Sequence, residues 1–75
     1  MNAEQSENSF QITLNGEAHT ITGDAALIAL IGALKVRKGR VAVEINRTII
    51  PKADWENCKL KPGDAVEIVN FVGGG

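Results

Sequence analysis

Phe10, Ile12 and Leu14 alternate with Gln11 and Thr13, the period-two spacing of a strand with one buried face. Asn15-Gly16 follows at once and is the strongest two-residue hairpin signal, so Glu17 to Ile21 is predicted to return antiparallel, with Thr22-Gly23 breaking the extended pattern. The period then changes. Leu27, Leu30, Ile31 and Leu34 recur at i, i+3, i+4 and i+7, one face of a helix, and Asp24 is placed to accept hydrogen bonds from the free N–H groups of its first turn. No charged residue occurs from Ala25 to Leu34, so Ile28, Ala29 and Gly32 lie off the main stripe without polar cover, a flank suited to contact. Lys35, Arg37, Lys38 and Arg40 then cluster around Gly39, where positive charge complements the negative end of the helix and the glycine is expected to end the turn.

Val41, Val43 and Ile45 alternate with Ala42 and Glu44 and predict a third strand. Asn46-Arg47 reads as a tight turn into a short extended piece, Thr48-Ile49-Ile50, stopped by Pro51. Lys52 to Lys61 has no strong period and is expected to form a short helical turn anchored by Trp55 and Leu60, ahead of a Lys61-Pro62-Gly63-Asp64 turn. The last predicted strand runs from Ala65 to Phe71, with Val66 and Ile68 on one face and Ala65, Glu67, Val69 and Phe71 on the other. One helix with a single apolar stripe must cover strands with a single apolar face, which gives an α+β protein of the β-grasp kind. In that arrangement the helix lies across a small mixed sheet and the first and last strands run parallel. Residues 1–9 have too little apolar surface to offset ordering and are expected to form a disordered arm, 10–72 the body, and 73–75 a flexible glycine tail.

Composition narrows the function. Seventy-five residues allow one small domain, and a net charge of −1 provides no field to hold a nucleic-acid backbone or an anionic membrane. With one cysteine, Cys58, and one histidine, His19, neither a disulfide scaffold nor a zinc site is available, and no metal is expected. Residues 1–9 lack a basic, then apolar, leader pattern, and no apolar run approaches the roughly 20 residues of a membrane span, so a cytoplasmic protein is expected.

The chemistry points to the end of the chain. Gly73, Gly74 and Gly75 have no Cβ, so they can thread a channel too narrow for any other residue, and Val72 with the glycines reaches about 13 Å when extended. A carboxylate on Gly75 would be ionised at neutral pH and a poor electrophile, so acyl chemistry there requires activation. Transfer of AMP from ATP makes a mixed anhydride, from which a sulfur nucleophile can displace AMP. Glycine-rich ends are also common as inert segments, but here they follow directly on a strand. Val69 and Phe71, apolar and outward beside the tail, are the expected docking residues for a partner that holds Val72 and the glycines in register. Cys58 is expected to pack as a small apolar side chain, His19 to be a solvated or edge histidine, and the basic group after the helix to be a solvated loop.

The stretch Val41-Ala42-Val43-Glu44-Ile45-Asn46, with Ile49-Ile50-Pro51, Trp55, Leu60, Gly63-Asp64, Val66-Glu67-Ile68-Val69 and Phe71-Val72-Gly73-Gly74-Gly75, resembles the ThiS family of ubiquitin-like sulfur carriers of thiamine thiazole biosynthesis. The likeness covers about Phe10 to Gly75, and the arm before Phe10 is longer than is usual in the family. It implies a protein cosubstrate that is not itself an enzyme and binds no cofactor. A ThiF-type adenylyltransferase would consume ATP to activate Gly75, and sulfur from a cysteine desulfurase persulfide would convert it to a thiocarboxylate. A ThiG-type thiazole synthase would then take the sulfur. Gly74 and Gly75 carry over directly from the family pattern. Two other readings stay open at this point: a carrier like the small subunit of molybdopterin synthase, and a β-grasp binding module with an inert tail.

Overall fold

A computed structural model of the chain describes residues 9–36 and 40–70. Five strands and one helix follow in the order β1 (Ser9–Leu14), β2 (Glu17–Thr22), α1 (Leu27–Leu34), β3 (Val41–Ile45), β4 (Thr48–Ile49) and β5 (Ala65–Asn70), with a 3₁₀ segment at Lys52–Asn57 between the last two. The sheet order is β2-β1-β5-β3-β4, with β1 and β5 parallel at its centre and the other neighbours antiparallel. This is the α+β, β-grasp arrangement expected from the pattern. β1 takes in Ser9, one residue earlier than expected, because Ser9 pairs with Thr22 at the end of the hairpin ladder. The rest of the arm, Met1 to Asn8, lies outside the described residues.

Both hairpins close through left-handed residues. Asn15 and Gly16 have φ of 51° and 86°, and Asn46 and Arg47 have 52° and 72°, the paired positive φ values that match the twist of antiparallel strands. Glycine and asparagine adopt this conformation readily, whereas the arginine is held there against the crowding of its Cβ.

The helix lies on the inner face of the sheet. Leu27, Leu30 and Ile31 are buried against Ile12, Ile21, Val43, Ile45, Val66 and Ile68, the alternating inward positions of four strands. Trp55 and Leu60, the expected anchors, close one end of this core at 2% and 4% exposure, and the Trp55 indole N–H donates to the Ile50 carbonyl at 3.0 Å. Ile28, Leu34, Val36 and Cys58 pack partly buried against it. The flank suited to contact is thus divided: Ile28 and Ala29 are half-buried, and Gly32 is exposed.

Both ends of α1 differ from the sequence expectation. Asp24 Oδ1 accepts from the Ala26 N–H at 2.9 Å, two residues on, and the helix starts only after Ala26. The Leu27 N–H is instead taken by the Cys58 carbonyl at 2.8 Å, within a bridge that pairs Ala26 with Lys59. A distant segment therefore caps the first turn, and Asp24 shapes the entry to it. The C-terminus falls at Lys35, with φ 59° and ψ 35°, rather than at Gly39, which lies outside the described residues. The left-handed residue lets Val36 turn back onto the core.

Among the described residues, no helix is long and apolar enough to cross a membrane.

Candidate functional site

The candidate site is the end of β5, from which the chain runs on to Gly75. β5 is central in the sheet, and its position is set by side chains from both hairpin turns as well as by its neighbours. On the β3 side, Val41 to Ile45 pair with Asn70 to Val66 along the full strand. Beyond Ile45 the Asn46 N–H donates to the Ala65 carbonyl at 2.8 Å and Asn46 Oδ1 accepts from the Ala65 N–H at 2.9 Å. Asn46 Nδ2 donates to Asp64 Oδ1 at 3.0 Å, while Asp64 Oδ2 accepts from the Lys61 N–H at 2.9 Å. Asp64 is 5% exposed, and these donors reach both of its carboxylate oxygens. The start of β5 is pinned by this group.

On the β1 side the regular pairing covers only Thr13 with Ala65 and Leu14 with Val66, because β1 then turns away. Asn15 continues the ladder from within the turn. Its N–H donates to the Val66 carbonyl at 2.8 Å, its Oδ1 accepts from the Ile68 N–H at 2.8 Å, and its Nδ2 donates to the Ile68 carbonyl at 3.3 Å. A parallel-strand residue bonds the groups one before and one after its partner. Here the side-chain oxygen stands where the backbone carbonyl of a continuing strand would be.

The outward face of β3, β4 and β5 is the second component. Glu44 pairs with Glu67 on one side and Ile49 on the other, and Ala42 pairs with Val69, so these five side chains share the face away from the helix. Ile49 is 64% and Val69 54% exposed, so both are available for contact. Val69 is where the sequence placed it. Ile49 was not anticipated as a surface residue; the signal for it is its register opposite the outward Glu44 across a two-residue turn. Phe71, Val72, Gly73, Gly74 and Gly75, the other site residues expected from the sequence, lie outside the described residues.

The remaining candidates fall elsewhere. Cys58 is a half-buried free thiol packed against the core, as expected. His19 is half-buried on edge strand β2, facing a groove of about 200 Å³ shared with Asp24, Leu30 and Ala33. Lys35 and Arg40 are exposed, and Arg37 and Lys38 lie outside the described residues. Among the described residues no three His, Cys, Asp or Glu side chains gather closely enough to hold a metal ion.

The ThiS family model matches residues 12–75. The chain belongs to the ThiS family. Its fold is similar to the crystal structure of the thiamine biosynthesis protein ThiS from Geobacter metallireducens, with a TM-score of 0.75 and 35% identity, covering 88% of this chain and all of that one. A solution structure of a thiamine biosynthesis protein from the same organism gives a TM-score of 0.71 at 35% identity, over 88% of each chain. Among curated relatives, a thiazole synthase of Paramagnetospirillum magneticum is 38% identical over 65 residues, 87% of this chain. The chain spans only 20% of the length of that protein, and likewise 20% of a second thiazole synthase, from Magnetococcus marinus. An uncharacterised protein, ycf40, of Porphyra purpurea is 33% identical over 89% of this chain and 94% of its own length.

Proposed function

We propose that this ThiS-family chain is a sulfur carrier for thiamine thiazole formation and that the carboxylate of Gly75 is its reactive group. The observation that carries the reading is the family match extending through residue 75, onto a glycine run that continues from a central, pinned strand. In the proposed cycle a ThiF-type adenylyltransferase joins the carboxylate oxygen to the α-phosphorus of ATP and releases pyrophosphate. The acyl adenylate supplies the leaving group that a free carboxylate lacks. The outer sulfur of a persulfide generated by a cysteine desulfurase then attacks the acyl carbon and displaces AMP, and a thiol cleaves the resulting acyl disulfide, releasing the thiocarboxylate and leaving a disulfide. The chain itself acts as a cosubstrate.

A ThiG-type thiazole synthase is the proposed acceptor. Support comes from the proteins named thiazole synthase, in which a segment similar to this chain makes up a fifth of the length. Tethering a carrier to its consumer raises the effective concentration of one for the other. The family assignment favours this carrier over one serving molybdopterin synthase. The exposed Ile49 and Val69, flanking Glu44 and Glu67, form the proposed docking face, which suits an apolar partner surface carrying basic side chains.

The deciding test is the intact mass after incubation with ATP, a ThiF-type enzyme and a sulfur donor. The expected change is a single oxygen-to-sulfur exchange, located at Gly75 by fragmentation. A variant with one residue added after Gly75 should show no exchange. Equal sulfur transfer from a chain whose terminus is capped as an amide would overturn the reading.

A further inference from the structure

The hydrogen bonds from Asn15 to β5 have a consequence for the tail. β3 holds one edge of β5 as far as Asn70, but on the opposite edge the backbone of β1 stops at Leu14. The Ile68 N–H and carbonyl would therefore face an unoccupied row if Asn15 had an apolar side chain. The Asn15 amide supplies both partners, at 2.8 and 3.3 Å, from a residue whose own backbone has already turned to φ 51°. Only a short side chain with a donor and an acceptor that also tolerates the left-handed region fits all three demands.

We infer that Asn15 is a positioning residue for the proposed reaction: its amide holds the second half of β5 in the sheet, so that the strand preceding the glycine run is already ordered when a partner engages it. The inference rests on the sulfur-carrier reading above. A partner that engages an ordered β5 need not order it first. If β5 frays back to Val66, the partner must restore that order on binding, and the cost falls on the apparent affinity and not on the chemistry of the bound complex.

The test uses the full chain with Asn15→Gly, which keeps a turn residue at home at positive φ and removes only the amide. Hydrogen exchange at the Ile68 N–H should accelerate about tenfold, the effect of losing one ordinary hydrogen bond. In ATP–pyrophosphate exchange with a ThiF-type enzyme, KM for the carrier should rise about tenfold while kcat is unchanged, the pattern of lost binding without lost chemistry. Asn15→Asp keeps the acceptor for the Ile68 N–H but replaces the donor to the Ile68 carbonyl with a second oxygen, and should restore only part of both. Ile21→Ala removes buried core volume on β2, which does not pair with β5, and should lower stability with KM unmoved.

Unchanged exchange at Ile68 in Asn15→Gly would show that the amide does not hold β5 and would overturn the inference. Faster exchange with unchanged KM would also overturn it, leaving a purely structural bond. A KM increase in Ile21→Ala equal to that in Asn15→Gly would do the same by assigning the effect to global stability. A wild-type chain that supports no pyrophosphate exchange with any ThiF-type enzyme would remove the carrier reading itself, and the positioning role with it; that failure is read on the wild type alone.

Discussion

Asn46 and Asp64, eighteen positions apart in sequence, are joined by a 3.0 Å hydrogen bond from Asn46 Nδ2 to Asp64 Oδ1, and together they fix where β5 begins. The asparagine serves as turn residue and as clamp. The aspartate also accepts from the Lys61 N–H and so ties the Pro62-Gly63 turn to the β3–β4 hairpin. Asn15 plays the corresponding part from the other hairpin, so β5 is gripped on each edge by the left-handed asparagine of a two-residue turn.

Removing the aspartate should unpin the start of β5. Asp64→Ala removes the acceptor of the Lys61 N–H and of the Asn46 amide at a part-buried site and is expected to cost about 1.5–3 kcal/mol, the range for hydrogen bonds to a carboxylate. Urea denaturation should show a lower midpoint with an unchanged m-value. A loss below half a unit of kcal/mol, roughly the scatter of a surface substitution, would mean that the group is not holding the strand.

Arg47 is exposed and sits at φ 72°, where a Cβ is crowded by the backbone. Arg47→Gly should relieve about 1–2 kcal/mol of left-handed strain and return part of it as unfolded-chain entropy, for a net gain of about 0.5–1 kcal/mol. Thermal unfolding is the measurement. A lower Tm would show that the arginine side chain has a stabilising contact greater than the strain.

Trp55 is the largest fully buried side chain, and its indole N–H has the Ile50 carbonyl as partner. Trp55→Ala should cost about 3–5 kcal/mol, enough to unfold much of a domain of this size at 37 °C. Trp55→Phe retains most of the apolar volume but leaves that carbonyl without its donor, and should cost about 1–3 kcal/mol. Circular dichroism melts would rank the two; equal losses would show that the hydrogen bond dominates over volume.

The outward face can be tested separately from the fold. Ile49→Lys and Val69→Lys place charge at exposed positions without setting like charges opposite Glu44, and should leave Tm within a few degrees while raising the carrier KM for the activating enzyme by about tenfold or more, as for residues central to an interface. Unchanged kinetics for both variants would exclude this face as the docking surface for that enzyme. Glu67→Lys should meanwhile stabilise the sheet by about 0.2–1 kcal/mol, because Glu44 lies directly opposite.

Much of this protein was legible in its sequence because the relevant physics is local. Period-two alternation at Phe10, Ile12 and Leu14 and at Val41, Val43 and Ile45, the helical spacing of Leu27, Leu30, Ile31 and Leu34, and the Asn15-Gly16 turn each state their own conformation within a few residues. The absence of side chains along Gly73-Gly74-Gly75 is likewise read without reference to the rest of the molecule. The contacts that place the site are of another kind. The cap on Leu27 comes from Cys58, the exposure of Ile49 follows from its register against Glu44, and the amide of Asn15 reaches Ile68, 53 positions away. None of these pairs has a signature in its own neighbourhood, since a turn asparagine looks the same whether its side chain meets solvent or a distant strand. Local chemistry determined which segments become strands and helix. Only the packing of the helix on the sheet brought β1 and β3 to either side of β5, and that juxtaposition turned two ordinary turn residues into the clamps that hold the strand leading to Gly75.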